Sequence, residues 1–300
     1  MESHDHEWNA VMATVRWFEG KNEFADAAQQ VQADITRAAH LLRNELSYQG
    51  FCTACNTGTT FTGDSHHNLR EGLKCRHCRM TTRQRLVLSS MLACAARSGS
   101  TRHCTGALLE KTTLLYRRAH ALIPGLQGSE YLGEDRRSGR RYAWSTHWWR
   151  WRITRHESIT TMSYASDSLD LLGHSDVLEH VYDTPAALLE SARVLKPGGV
   201  MLFTIPFFME QEQSVLRGRP TASGDIEHLY PPEYHGDGLR HGGIYTFHHF
   251  GWDILEQIRN AGFSRAEIGF CHDPNEGFCA DAPEQPESWR MLPLIFRATR

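Results

Sequence analysis

The sequence predicts an α/β fold in which helices cover both faces of a parallel sheet. Three successive segments support this prediction. Leu169 to Gly173 is a short apolar run, long enough for a buried strand, and Thr184 to Leu195 places its apolar residues on one face of a helix. Lys196-Pro-Gly-Gly ends that helix, and the apolar run Val200 to Phe207 follows it. A strand, a helix and a second strand in this order form the βαβ unit of a parallel sheet.

A polar cluster lies directly after the first of these strands, in the segment 174–180. Ligands of parallel sheets bind beyond the carboxyl ends of the strands, so a ligand is expected here. Asp176, Glu179 and His180 are spaced i, i+3 and i+4, and on a helical turn their side chains share one face. His180 is a candidate general base because imidazole titrates near neutrality. Local hydrogen bonding by Glu179 and His180 is the alternative.

Composition limits the class of protein. The chain has 300 residues, an apolar fraction of 40% and a formal net charge of −3, so it can form a core, and its overall charge favours neither nucleic acid nor membranes. No apolar run approaches the length of a membrane span, and the N-terminus lacks the pattern of a secretory signal. We therefore expect a cytoplasmic protein that does not insert into a membrane.

Two Cys-x-x-Cys pairs, Cys52 with Cys55 and Cys75 with Cys78, have the separation that is typical of a structural zinc ribbon. Four thiolates close a tetrahedron around Zn²⁺ and leave no open position, so the expected role of the metal is folding. Reduced, unpaired cysteines or a redox pair are the alternatives. Three nearby histidines could substitute as ligands: His66, His67 and His77.

Two helices are predicted before the α/β domain. Residues 22–48 form an amphipathic helix, and the second helix follows the ribbon and has a basic start. Its basic residues are Lys74, Arg76, Arg79, Arg83 and Arg85. They predict either a contact for an anionic partner or a solvated face. The chain is accordingly divided into a helical segment (1–50), a zinc-ribbon-like module with its following helix (51–104) and the α/β domain (105–300).

Residues 136–155 contain seven arginines, four tryptophans and one tyrosine. Arginines interleaved with aromatic side chains can bind nucleic acid by pairing with phosphates and stacking on bases. They can also bind sugars, whose apolar faces lie on tryptophan. The alternative is an insertion whose tryptophans pack against the ribbon module.

The residues of the predicted βαβ unit resemble a known family. Asp-x-Leu-Glu-His-Val, a helix, Leu-Lys-Pro-Gly-Gly and a strand follow one another as in strands four and five of the class I S-adenosylmethionine (SAM) dependent methyltransferases, and most closely as in their type 11 group. The resemblance implies a Rossmann-like, seven-stranded methyltransferase sheet over 105–300 with SAM as cofactor. It also implies methyl transfer to an oxygen or nitrogen of an acceptor, which could be a small molecule, a sugar or RNA.

The same resemblance implies a cofactor site at the ends of successive strands. Glu130 would accept hydrogen bonds from the ribose hydroxyls, Tyr131 would cover the adenine, and Glu157 or Ser158 would meet the adenine amino group. An ordinary surface Glu130 and a core Tyr131 are the alternative. The residues expected at the cofactor are Glu110, Thr112, Glu130, Tyr131, Glu157, Ser158, Ser175 and Asp176.

The loop after the first strand, residues 110–116, departs from the family pattern. The family usually has glycines there that let the backbone approach the cofactor, and this sequence has none. Either a different loop shape holds the cofactor, or binding is weakened or lost. The second functional hypothesis is therefore a catalytically degenerate methyltransferase fold that binds RNA or glycan through the ribbon and the segment 136–155.

Four residues are the candidate catalytic groups: Glu179, His180, His235 and His248. The last two belong to the segment 207–250, which commonly lies over the substrate pocket in this fold. Ubiquinone-pathway O-methyltransferases and small-RNA 2′-O-methyltransferases have a similar Glu-x-x-Glu-His that binds a divalent metal. Mg²⁺ at Asp176, Glu179 and His180 is therefore a third hypothesis, in which the ion would polarise a substrate hydroxyl.

Overall fold

The computed structural model describes residues 14–44, 47–63, 68–97, 99–145, 151–237, 240–281 and 292–300. Two of the alternative zinc ligands, His66 and His67, lie outside the described residues. So do residues 146–150 of the segment rich in arginine and tryptophan.

Strands and helices alternate along most of the described chain. The strands are β1 (Arg16–Phe18), β2 (Ser47–Cys52), β3 (Thr57–Thr62), β4 (Lys74–Cys75), β5 (Gly106–Leu108), β6 (Leu126–Gly128), β7 (Arg141–Trp144), β8 (Arg152–Arg155), β9 (Leu169–Ser175), β10 (Leu195–Thr204), β11 (Val215–Leu216), β12 (Gly218–Pro220), β13 (Ile226–His228), β14 (Tyr234–Asp237), β15 (Arg240–Tyr245), β16 (His248–His249), β17 (Arg265–Phe270) and β18 (Leu294–Thr299). The helices are α1 (Lys21–Asn44), α2 (Leu69–Gly72), α3 (Thr82–Arg97), α4 (Leu114–Leu122), α5 (Thr184–Val194) and α6 (Ile254–Asn260), with 3₁₀ turns at Leu178–His180 and Pro274–Glu276.

A seven-stranded sheet forms the centre of the molecule, in the order β1-β17-β18-β10-β9-β5-β6. The strands β6, β5, β9 and β10 are parallel, whereas β18, β17 and β1 add antiparallel pairs at one side. The predicted α/β fold and the βαβ unit β9-α5-β10 are confirmed. The seventh strand is the N-terminal β1. Among the described residues, the chain that follows β6 adds one isolated parallel bridge at this edge of the sheet, between Glu130 and His156.

Helices cover both faces of the sheet. Leu172 lies in the core that α1, α5 and α6 complete, and Leu171 lies in the opposite core, which α3, α4 and the ribbon complete. Gly173 lets α3 approach the middle of the sheet, because a Cβ at this position would lie 2.9 Å from the Leu108 side chain and 3.5 Å from that of Met91. Among the described residues, no helix combines the length and apolarity needed to cross a membrane.

The ribbon module is the three-stranded sheet β2-β3-β4. The prediction that the first helix continues to residue 48 is wrong, because α1 ends at Asn44 and residues 47–52 pair with 57–62 as a hairpin. The sequence does not show the alternation of apolar and polar residues that is typical of strands, because glycines and threonines occupy many positions of this hairpin. The helix that follows the ribbon, α3, packs directly on the central sheet and thereby joins the module to it.

Candidate functional site

The carboxyl ends of β5, β6 and β9 meet at one edge of the sheet, as parallel strands require. Glu110 follows β5, Glu130 follows β6, and Asp176 follows β9. Ser175 donates a hydrogen bond of 2.8 Å from its hydroxyl to Glu110 Oε1, which links two of these strand ends directly. Burial raises the pKa of Glu110, although Arg83 opposes this shift.

The loop after β5 is held by Glu130. Its Oε1 accepts hydrogen bonds from the backbone N–H groups of Lys111 and Thr112, each at 2.8 Å, and from the Thr112 hydroxyl at 2.9 Å. No residue from 110 to 116 has a positive φ, so the backbone conformation of this loop does not itself need glycine. Among the described residues, Oε2 of Glu130 makes no hydrogen bond, and the residue is 8% exposed.

Asp176 is bound by two arginines from the helices beside the ribbon, Arg70 on α2 and Arg83 on α3. Arg70 approaches its carboxylate oxygens at 3.0 and 3.3 Å, and Arg83 Nε lies 3.4 Å from Oδ2. The Thr204 hydroxyl donates to Oδ1 at 2.8 Å. Burial alone would raise the pKa of Asp176, but the two guanidinium groups outweigh it and hold this pKa well below its usual range. The φ of Asp176 is +50°, an uncommon conformation for a residue with a side chain, and such strain often lies at functional sites.

Arg83 and Arg85 are therefore not part of a solvated face, and this part of the prediction is wrong. Arg83 pairs with Glu71 at 2.6 Å as well as with Asp176. Arg85 is fully buried and donates to the carbonyl oxygens of Met80 at 2.8 Å and Gly277 at 2.5 Å. Its guanidinium also lies over two aromatic rings, at 4.7 Å from the centroid of Phe61 and 5.7 Å from that of Phe278.

The four ribbon cysteines form a near-tetrahedral cluster. The sulfur atoms of Cys52 and Cys78 are 3.9 Å apart, as are those of Cys55 and Cys75. Four thiolates at about 2.3 Å from a zinc ion lie roughly 3.8 Å from one another, and the observed distances fit that arrangement. They are far longer than a disulfide bond. Hydrogen bonds from the thiols of Cys52 and Cys78 lower the pKa of Cys75, and the hydrogen bond to Cys75 raises the pKa of Cys52.

The two knuckles share a backbone conformation. Asn56 and Arg79, each directly after the second cysteine of a pair, have φ values of 53° and 61°. In both knuckles the chain turns back through the left-handed region, which aims the two sulfur atoms of the pair at one point. The residues thus fit a metal, and its identity as zinc stays a prediction.

A second group of potential metal ligands lies after β9. One carboxylate oxygen of Glu179, one ring nitrogen of His180 and one of His235 lie within 4.8 Å of one another. Glu179 Oε1 is 3.7 Å from His180 Nε2 and 3.9 Å from His235 Nδ1. The Glu179 side chain is fully buried, and burial together with Asp176 raises its pKa well above the usual range. Asp176 does not belong to this group, because its left-handed backbone and the two arginines place its carboxylate elsewhere.

The segment after β10 supplies His235 and covers the 3₁₀ turn. The backbone N–H of Phe247 donates to the Glu179 carbonyl at 2.7 Å, which places β16 directly on this turn. His248 lies apart from the cluster and donates from Nε2 to the Tyr182 carbonyl at 3.0 Å. Burial lowers the pKa of His248, so it stays neutral near pH 7.

The residues expected at the adenine lie beside Glu130 but are engaged differently. The Glu157 carboxylate is buried and accepts from Arg155 Nε at 2.6 Å and from the Ser163 hydroxyl and N–H at 2.5 and 2.8 Å. The hydroxyl of Ser158 lies 3.0 Å from that of Thr160. Tyr131 is 39% exposed, so it presents a ring surface at this edge of the sheet.

The described part of the segment 136–155 contains the hairpin β7–β8. Arg136 and Arg155 stack on the rings of Tyr142 and Tyr164, so part of the predicted binding set is used inside the domain. Trp151 and Ile153 are 68% and 67% exposed and form the outer surface of the hairpin.

Sequence reasoning missed Arg70 and Arg83 as members of the site. Nothing in the sequence indicates the role of Arg70, since only the fold brings helix α2, which carries this residue, to the end of β9.

Part of the chain matches a known protein family. Residues 125–203 match the family model described as a methyltransferase domain, a stretch that contains β6, β9, α5 and most of β10. Among curated proteins, none matches the chain. A SAM-dependent methyltransferase from Mesorhizobium loti is 18% identical, with a TM-score of 0.41 over 69% of this chain and 96% of that one.

Two further solved structures are similar at this level. One is a complex between the Haloferax volcanii Trm112 methyltransferase activator and a methyltransferase; its matching chain is 17% identical, with a TM-score of 0.38 over 70% of this chain and 88% of that one. The other is 1,6-didemethyltoxoflavin-N1-methyltransferase from Burkholderia thailandensis, whose structure contains S-adenosylhomocysteine. It is 14% identical, with a TM-score of 0.38 over 73% of this chain and 78% of that one.

Proposed function

We propose that this chain, whose α/β domain is a class I SAM-dependent methyltransferase domain, transfers a methyl group from SAM to an oxygen or nitrogen of its acceptor. The match of residues 125–203 to the methyltransferase family carries the proposal, because it covers β6 and β9, two of the three strands whose carboxyl ends form the candidate site. Three carboxylates of that site, those of Glu110, Glu130 and Asp176, follow neighbouring strands in the way the family uses to bind SAM.

The residues at these strand ends fit the cofactor. Oε2 of Glu130 has no hydrogen bond among the described residues, so it can accept from the ribose hydroxyls while Oε1 keeps its three bonds to the loop. We expect Tyr131 to lie along the adenine and Ser158 to contact its edge, since the Glu157 carboxylate is already saturated. When bound, SAM supplies a methyl group on a sulfonium, which an acceptor attacks in line.

A hydroxyl acceptor needs a base, and His235 is the best-placed candidate. Its side chain is 32% exposed, whereas that of Glu179 is fully buried. His235 donates from Nε2 to Glu233 Oε1 at 2.9 Å, which fixes the ring and leaves Nδ1 as the nitrogen that accepts a proton. Burial alone would raise the pKa of Glu233, but its bonds to His235 and His249 outweigh this and lower it, so the partner of the base stays ionised.

Calorimetry with SAM and S-adenosylhomocysteine tests the proposal. We expect both to bind, and ATP, which shares the adenosine but lacks the methionine, to bind more weakly. A protein that is folded by circular dichroism and shows no heat of binding at millimolar SAM would overturn the proposal.

The second candidate is a binding module for RNA or glycan, and the exposed hairpin β7–β8 favours it. Trp151 is 68% exposed beside the arginine-rich strands, as a stacking platform requires. Binding of single-stranded RNA that weakens with salt and is reduced in Trp151→Ala, together with no binding of SAM, would select this candidate. Salt-independent or absent binding would reject it.

A further inference from the structure

We propose that Glu179, His180 and His235 form a second metal site, built for a divalent first-row transition cation and separate from the four cysteines. The site deepens the proposed function. Its catalytic role rests on that proposed function, whereas the binding of the metal does not depend on it.

The carboxylate of Glu179 is the first argument. It lies on the 3₁₀ turn after β9, its side chain is fully buried, and neither oxygen has a hydrogen-bond partner among the described residues. Burying an ionised carboxylate without a partner is costly. A cation held between this carboxylate and its neighbours removes that cost.

The orientation of the two imidazole rings is the second argument. His180 donates from Nδ1 to the Tyr245 carbonyl at 2.9 Å, and His235 donates from Nε2 to Glu233 at 2.9 Å. In the neutral rings, the opposite nitrogens therefore carry lone pairs, and these are the nitrogens that face Glu179. Metal-binding histidines characteristically donate their second N–H to a carbonyl or a carboxylate.

Outer contacts hold this arrangement in place. Glu233 also accepts from His249 at 2.9 Å and lies 3.4 Å from Arg217. The carboxylate that orients His235 is thus itself fixed by two groups from the segment after β10. A hydrogen-bonded outer layer of this kind is typical of metal sites and is not needed by a lone surface histidine.

The distances are compatible with a cation between the three groups. Separations of 3.7 and 3.9 Å from Glu179 Oε1 are too long for hydrogen bonds. Nitrogen and oxygen ligands at about 2.1 Å from a tetrahedral metal lie roughly 3.4 Å apart, so each of these nitrogens needs to approach Glu179 by only about half an ångström.

The donor set selects the metal. Two imidazoles and one carboxylate suit Zn²⁺, Mn²⁺, Fe²⁺ or Co²⁺, whereas Mg²⁺ prefers oxygen ligands alone. Asp176, the third member of the set expected from sequence, is paired with Arg70 and Arg83 and is not a ligand. Three protein ligands leave at least one position open, as in catalytic sites.

An acceptor hydroxyl is the group that this open position favours. With Nδ1 of His235 bound to the ion, the metal would replace this histidine as the group that activates the hydroxyl: it would lower the pKa of that hydroxyl, whose proton would leave to solvent. The oxygen then attacks the methyl carbon of SAM, the new bond being formed by an oxygen lone pair while the carbon–sulfur bond breaks and leaves its electron pair on sulfur. This chemistry makes an alcohol or a ribose-like hydroxyl the expected acceptor rather than an amine.

Metal titration without SAM tests the site. Zinc-loaded protein is titrated with Mn²⁺, followed by electron paramagnetic resonance, and with Co²⁺, followed by visible absorption, in which cobalt bound to nitrogen and oxygen is distinguished from cobalt thiolate. We expect about one additional cation per chain, with affinity reduced at least about tenfold in Glu179→Gln and His235→Ala. His228→Ala, on the same segment but outside the cluster, is the matched control and keeps wild-type affinity.

Three results would overturn the assignment. The first is the binding of neither cation by wild-type protein, and the second is equal binding by wild type and His235→Ala. The third is a loss in Asp176→Asn as large as in Glu179→Gln, which would place Asp176 in the ligand set. Because His235 lies on a partly exposed hairpin, circular dichroism and zinc content establish that its variant is folded. SAM calorimetry is measured separately, so failure of the metal site and failure of the proposed function are distinguishable.

Discussion

Glu130→Gln separates the two tasks that the structure gives to this carboxylate. In the folded chain, Oε1 accepts three hydrogen bonds from Lys111 and Thr112, and Oε2 faces the position proposed for the ribose. Glutamine has the same shape and keeps one acceptor oxygen. It lacks the charge, and it replaces the second acceptor by an N–H group that cannot accept from a hydroxyl.

The expected loss is the sum of two effects. A hydrogen bond to an ionised group contributes about 1.5–3 kcal/mol, against about 0.5–1.5 kcal/mol for a neutral pair, so loss of the charge at the ribose costs about 1 kcal/mol. A similar weakening of the three bonds at Oε1 loosens the loop and adds about 1 kcal/mol. Together they weaken SAM binding by about 2 kcal/mol, roughly 30-fold.

Isothermal titration calorimetry with SAM and S-adenosylhomocysteine measures this loss. Glu134→Gln, an exposed glutamate four positions further along, is the matched control and leaves the affinity unchanged. Thermal unfolding without ligand shows whether the loop change also reaches the fold. Unchanged SAM affinity in Glu130→Gln, with wild-type unfolding, would refute the assignment of Oε2 to the ribose.

Three further predictions concern the module, the metal and pH. Arg85→Met leaves buried carbonyl oxygens without donors and lowers the free energy of unfolding by about 3–5 kcal/mol, seen as a fall in Tm of roughly 6–10 °C, whereas the exposed Arg76→Met changes little. Metal analysis should find about one zinc per chain, and Cys75→Ser should lose it; a metal-free protein with an unchanged fold would contradict the ribbon assignment. Bonds from Lys196 and Thr105 lower the pKa of Asp170 against the effect of burial, so its stabilisation is present above about pH 4 and disappears as the pH falls. Asp170→Asn should therefore lower stability at pH 7 by at most about 1 kcal/mol, since the site is near the surface, and its difference from wild type in urea unfolding should shrink as the pH falls below about 4.

The parts of the fold that the sequence predicts well are those whose cause is local. The unit β9-α5-β10 has apolar runs of strand length, a proline at the helix start and glycines at its end, and each signal acts within a few residues. The helix was expected over 184–195 and spans Thr184–Val194. The cysteine spacing is equally local, because each pair needs only one turn of backbone to aim both thiols at one point.

The site is only partly predictable because its remaining members come together through tertiary structure. His235 lies more than fifty positions from Glu179 in the sequence, and nothing near either residue indicates that they meet. Asp176 was expected to share a helical face with Glu179 and His180, yet its positive φ turns the chain before the 3₁₀ turn begins. No spacing rule detects such a residue, because its partners Arg70 and Thr204 come from distant parts of the chain.

The missing glycines and the added ribbon both change which groups lie at the carboxyl ends of the strands. A glycine-rich loop exposes backbone N–H groups to a cofactor, whereas here the first two N–H groups of the loop are already bound by Glu130. Positive charge at this edge of the sheet comes instead from Arg70 and Arg83, which the ribbon brings to Asp176. Helix α2, which carries Arg70, directly precedes the second knuckle. We therefore expect the position of the Arg70 guanidinium to depend on whether the cysteine cluster keeps its structure. The ribbon therefore belongs to the candidate site by contact, and a change in its metal content should alter the affinity for SAM even though no cysteine reaches the strand ends.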